Sequence, residues 1–145
     1  MNVLAEPIQD QTFLRTLIPQ KDPFVLVDTL KHFSEDSVIS GLTVSTQLLF
    51  IQNQYLMAPG VIEHMAQTVA LHTGYQYYLK NEPAPTGYIG AIKEVQIHSL
   101  PKLGDALTTT VTILHEIMGV TLVKAEVVCN NEIIATGEMK TVLAV

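Results

Sequence analysis

The chain has 145 residues, 48% of them apolar and 15% charged, with a formal net charge of −6. That length builds one domain, residues 1–145, able to bury a core without disulfide or metal staples. Its eight Lys and Arg are scattered, which disfavours nucleic acid, and no run of eighteen apolar residues occurs, which argues against a membrane span.

The opening Met1–Pro7 lacks the charged start and apolar core of a secretory signal, and Cys129 is alone, so a reducing cytoplasm is expected. Cys129 sits in the apolar run Val127-Val128-Cys129 and reads as a buried, inert thiol. Within residues 8–18, Phe13, Leu14, Leu17 and Ile18 predict a short amphipathic helix stopped by Pro19. A loop pinned by Pro19 and Pro23 follows. Phe24–Leu30 then reads as an apolar strand, and Val38–Val44 alternates as its hairpin partner. Leu48–Ile51 fits strand or helix equally well.

Pro59-Gly60 suits a helix start, since proline presets φ where the amide hydrogen would have no partner. From there Ile62, Met65, Ala66, Val69, Ala70, Thr73 and Tyr77 mark one buried face. Ala66, Ala70 and Gly74 are small and four apart, so a neighbouring backbone can approach. Glu63 is expected in the first turn, where the helix dipole favours negative charge. Tyr75, Tyr77 and Tyr78, near the helix end, are expected to line an interface or cap a tunnel, with no catalytic role. Beyond Gly87 the period becomes two. Tyr88–His98, Ala106–Glu116, Thr121–Cys129 and Glu132–Leu143 read as four long strands, separated by a Pro/Gly loop at 100–105, by Met118-Gly119 and by Asn130-Asn131. Short connections favour an antiparallel meander of sequential neighbours. A long helix wrapped by such a sheet is an α+β domain with the plan of the hotdog fold. The apolar excess points to a subunit interface, hence a dimer.

Two stretches carry a family resemblance. Leu17-Ile18-Pro19-Gln20-Lys21-Asp22-Pro23-Phe24-Val25-Leu26-Val27-Asp28 resembles the L-[LI]-P-H-x-x-P-[FM]-x-L-[VL]-D opening of 3-hydroxyacyl-[acyl-carrier-protein] dehydratases, and Glu63-His64-Met65-Ala66-Gln67 resembles their E-x-M-A-Q helix. The compressed Gly60-Val61-Ile62-Glu63 start and Gly87-Tyr88-Ile89-Gly90-Ala91-Ile92-Lys93 are similar to the branch associated with aryl polyene gene clusters. The resemblance implies a hotdog dimer whose substrate is an acyl thioester, on acyl carrier protein or CoA, held in a tunnel between subunits. It implies a site that joins the loop histidine of one subunit to the helix carboxylate, Glu63, of the other. Gly60 and Val61 would offer amides to the thioester oxygen. Gln67 and Pro23 are further expected substrate contacts, with Gln67 alternatively satisfying buried backbone. Asp28 is expected to be structural.

The histidine position is Gln20, and an amide has no pKa with which to act as a base near neutrality. General acid–base help is typically worth ~10²–10⁴-fold. Of the five histidines, His64 is the best-placed substitute and a possible substrate contact, although it lies about 100° round the helix from Glu63. Three functions are therefore open. The chain is a dehydratase subunit that needs a histidine-bearing hotdog paralogue, a homodimeric thioesterase or isomerase using Glu63 alone, or a non-catalytic binder of acyl chains or carrier protein. Docking an acidic carrier protein would call on Arg15, Lys21, Lys80, Lys93 and Lys102. No metal-ligand spacing, phosphate-binding glycine loop or Ser-His-Asp set is present, so no cofactor is expected.

Overall fold

A computed structural model describes residues 1–144 of the chain. Helix α1 spans Gln11–Leu17, shorter than the expected 8–18. Asp10 caps it by accepting from the Phe13 amide at 3.1 Å, and Ile8 is drawn off into an antiparallel bridge with Leu30.

Strand β1 is Thr29–Phe33, so the expected strand at 24–30 is corrected. Val25, Leu26 and Val27 are buried as their apolarity demands. Their backbone is served from elsewhere. The Leu26 amide donates to Gln67 Oε1 at 2.7 Å, and the Leu26 carbonyl accepts from His64 Nδ1 at 2.7 Å. A segment whose polar groups are met by side chains has no need of a ladder.

Strand β2, Ser37–Thr43, pairs with β1, and Asp28 ties the hairpin base by accepting from the Thr43 amide at 2.8 Å. Leu48–Phe50 form turns rather than a regular element, leading to the small hairpin of β3 (Ile51–Gln52) and β4 (Tyr55–Leu56). Helix α2, Ala58–Leu79, begins with Pro59 in its first two positions. Strands β5 (Gly87–Ile97), β6 (Ala106–Ile117), β7 (Val120–Cys129) and β8 (Glu132–Leu143) follow the period-two segments closely. Met118-Gly119 and Asn130-Asn131 all have positive φ, as two-residue hairpin turns require.

The six-stranded antiparallel sheet runs β1-β2-β6-β7-β8-β5. The expected meander holds for β6–β8 only: β5 pairs with β8 instead of its sequence neighbour β6. The chain crosses back to β6 through residues 98–105, which pack on β4 through the Tyr55–Lys102 bridge. The outer edge of β1 is covered by the N-terminal segment, with Val3 and Ile8 amides donating to Phe33 and Leu30 carbonyls, both at 2.8 Å. Among the described residues nothing covers the β5 edge in this way, and Tyr88, Ile89 and Ile92 on it are exposed.

The buried stripe of α2 coincides only in part with the one its apolar spacing indicated. Val61, His64, Thr68, Leu71, His72 and Tyr75 are buried along with Met65 and Val69 of the expected face, whereas Ile62, Ala66, Ala70, Thr73 and Tyr77 of that face are half-exposed. The phase shifts by about one residue because three members of the true core stripe are polar. Gly74 is where α1 meets α2: a Cβ there would run into the Leu17 carbonyl. Tyr75 and Tyr78 join Phe13 and Phe33 in an aromatic cluster with centroid spacings of 4.9 to 5.5 Å.

Candidate active site

The half-exposed side of α2 faces a cleft of about 430 Å³. The small or short side chains Ala66, Val69, Ala70 and Thr73 form its floor. The end of α1 and its loop form one wall, and the 83–86 connection with the ends of β5 and β8 forms the other. Gln20 and Glu63 both line this space, so one chain places the two positions along a single cleft, where the resemblance implied that they meet across two subunits. Glu63 is the one carboxylate among the described lining residues, and no histidine joins it.

Glu63 lies in the second helical turn, not the first, so the dipole contribution expected of it has largely decayed. What holds it is Gln67, one turn on, whose Nε2 donates to Glu63 Oε2 at 2.8 Å. The same amide nitrogen donates to the Phe24 carbonyl at 2.8 Å, and Oε1 accepts from the Leu26 amide at 2.7 Å. Only one orientation of the amide satisfies all three partners. With 0% exposure, and with Oε1 and both amide hydrogens bonded within the chain, Gln67 is corrected as a substrate contact and meets the Leu26 amide and Phe24 carbonyl instead.

His64 is likewise corrected as a substrate contact or replacement base, since it is 0% exposed and absent from the cleft. The Leu26 carbonyl can only accept, so Nδ1 carries the proton. Nε2 must then accept from the Thr109 hydroxyl at 2.7 Å. Burial lowers its pKa to about 4, against the opposing pull of the Leu26 carbonyl and Asp28. His72, donating to the Ser34 carbonyl at 2.9 Å and stacked on Phe33, is also lowered by burial. His98 and His115 are exposed, and His32 bonds Ser37 Oγ at 2.9 Å.

Two further expectations change. The amides of Gly60 and Val61 both donate to the Met57 carbonyl, at 2.8 and 3.1 Å, and neither residue lines the cleft, so they are not free to polarise a thioester. Pro23 is exposed and outside the cleft. Gln20 Oε1 is buried without a hydrogen-bond partner among the described residues. Such an acceptor costs about 1–3 kcal/mol.

Sequence reasoning missed Thr109 and Ser40, which anchor the core side of α2. Thr68 donates to the His64 carbonyl at 2.9 Å and meets Ser40 Oγ at 2.7 Å. The signal was available: Thr109 lies between inward-facing Leu107 and Val111, and a polar residue in that register needs a buried partner. Cys129 is buried, and burial with nearby Asp105 pushes its thiol pKa up. Arg15 is paired with Asp22 at 3.1 Å, Lys21 donates to the Arg15 carbonyl at 3.1 Å, and Lys80 lies 5.0 Å from the Tyr77 ring centre.

A long helix wrapped by an antiparallel sheet, with a carboxylate-bearing cleft along the helix, defines a hotdog protein. A family model described as ApeP-like, ApeP dehydratase, matches residues 13–144. The chain belongs to the ApeP-like dehydratase family. It is 27% identical over 138 residues to the 3-hydroxyacyl-[acyl-carrier-protein] dehydratase FabZ of Oceanobacillus iheyensis, covering 87% of this chain and 96% of that protein. Among solved structures it resembles the dehydratase heterocomplex ApeI:P from Xenorhabdus doucetiae, with TM-score 0.84, 20% identity and 91% of each chain covered. A more distant hotdog likeness is smu.793 from Streptococcus mutans bound to acetyl CoA, with TM-score 0.67, 13% identity, and 88% of this chain and 95% of that one covered.

Proposed function

We propose that the chain is a dehydratase-type subunit that takes 3-hydroxyacyl thioesters in the α2 cleft and completes its chemistry with a histidine-bearing hotdog paralogue. The observation that carries this is a cleft holding Glu63 and Gln20 with no histidine, while His64 and His72 are locked in the core. Elimination needs a base for the proton on the carbon beside the thioester carbonyl. It also needs an acid to protonate the departing hydroxyl as the C–O bond breaks and the double bond forms, releasing water. Glu63 can serve one of these proton transfers; Gln20 can serve neither.

Two further observations support a paired state. The ApeI:P structure is a heterocomplex of dehydratases, and the uncovered β5 edge, with its exposed apolar residues, is a surface a second hotdog subunit can extend. Acyl thioester as substrate follows the FabZ relative and the acetyl CoA seen in smu.793.

The deciding experiment follows enoyl formation from a 3-hydroxyacyl carrier-protein thioester. The purified chain is expected to be slow, and Gln20→His to restore roughly 10²-fold or more, a gain that Glu63→Gln abolishes. Full activity of the unaided chain, unaffected by Gln20→Ala, would overturn the pairing. Thiol release without enoyl product, dependent on Glu63, would assign it instead to thioester hydrolysis.

A further inference from the structure

The cleft does not end against solid protein. A second cavity of about 80 Å³ lies beyond it, between the C-terminal half of α2 and strands β6–β8. Val69, Thr73, Thr141 and Leu143 line both spaces, so a single layer of side chains divides them. From Glu63 to Thr73 the helix rises about 15 Å at 1.5 Å per residue. Over that length Ala66 and Ala70 keep the floor low, and Thr73 from α2 with Leu143 from β8 stand at the far end.

We propose that Thr73 and Leu143 are the end stop of a linear acyl-chain channel and set the longest chain this protein accepts. The inference rests on the acyl-thioester reading of the cleft. Each methylene that reaches the channel wall gains about 0.8 kcal/mol, roughly fourfold in affinity per carbon. That gain ends where the next carbon meets the partition, because it must stay in water or displace a packed side chain. The space behind the partition is lined by Val111, Ile113 and Val123 as well as by Gln76, Lys80 and Glu116, and its apolar side has room for a few methylenes once the partition is opened.

The test measures binding of S-alkyl pantetheine thioethers of graded chain length to the whole chain by calorimetry, which needs no turnover. The wild-type affinity is expected to climb by roughly fourfold per carbon and then level off. In Leu143→Ala the climb should continue for about two to four more carbons before levelling. Thr73→Ala is the second opening variant and should move the limit the same way if Leu143→Ala does not fold. Ala70→Leu, which narrows the channel ahead of the stop, should move the limit to shorter chains. A plateau at the same length in every folded variant, or no plateau at all, overturns the end stop while leaving the acyl reading intact. Failure of every chain length to bind overturns the acyl reading itself, and the end stop with it.

Discussion

The two sides of α2 invert the usual relation between polarity and exposure. The side turned to the sheet carries His64, Thr68 and His72, with Gln67 beside them, and all four are buried and hydrogen-bonded. The side turned to the cleft carries, beyond Glu63, the small residues Ala66, Ala70 and Thr73, all half-exposed. Burial of polar groups is tolerated where donors and acceptors are met, and here the partners come from the 24–26 segment, from Ser34 in the turn between β1 and β2, and from β2 and β6. The apolar side lacks such a filling from its own chain. The helix is thus held rigidly by one face so that the other can stay open.

The largest test of this contrast is pH. His64 holds a folded pKa of about 4, below its ordinary 6.5, so the native state keeps the neutral ring. Its contribution is complete above about pH 6.5 and drains as pH falls, reaching a loss of about 3 kcal/mol near pH 4, with His72 acting in the same direction. Urea unfolding across that range should show the slope, and His64→Gln should flatten it.

Gln67→Met tests the clamp on the same face. It strands the Leu26 amide, the Phe24 carbonyl and the Gln67-facing oxygen of Glu63, and should lower stability by about 2–3 kcal/mol in chemical denaturation. Gln20→Met is expected to move the other way, raising stability by about 1 kcal/mol, because it removes a buried acceptor that has no partner. Its thermal midpoint should rise. The smallest effect belongs to the open side, where Ala70→Leu should change stability by no more than ~0.5 kcal/mol, since the added carbons enter empty space. A loss there as large as that of Gln67→Met would erase the distinction between the two faces.

Much of this architecture was legible beforehand. The four long strands follow from alternation bounded by Met118-Gly119 and Asn130-Asn131, and the start of α2 from Pro59-Gly60, because these depend on local backbone preference and on side-chain period. The Glu63 and Gln20 positions were found through motif resemblance, and the structure brings them to one cleft. Other features depend on distant partners. Leu26 lies 38 residues from His64 and 41 from Gln67, and only that contact makes 24–28 a clamped segment rather than a strand. The pairing of β5 with β8 is equally non-local.

The amino-acid order by itself determined where the chain extends, coils and turns, since those are short-range steric and solvation preferences. Which side of α2 faces the core, which histidines are silenced and where the sheet keeps an open edge were decided only in three dimensions. Hydrogen bonds between remote residues carry no periodic signature, and they, rather than apolar spacing, set the rotation of the central helix.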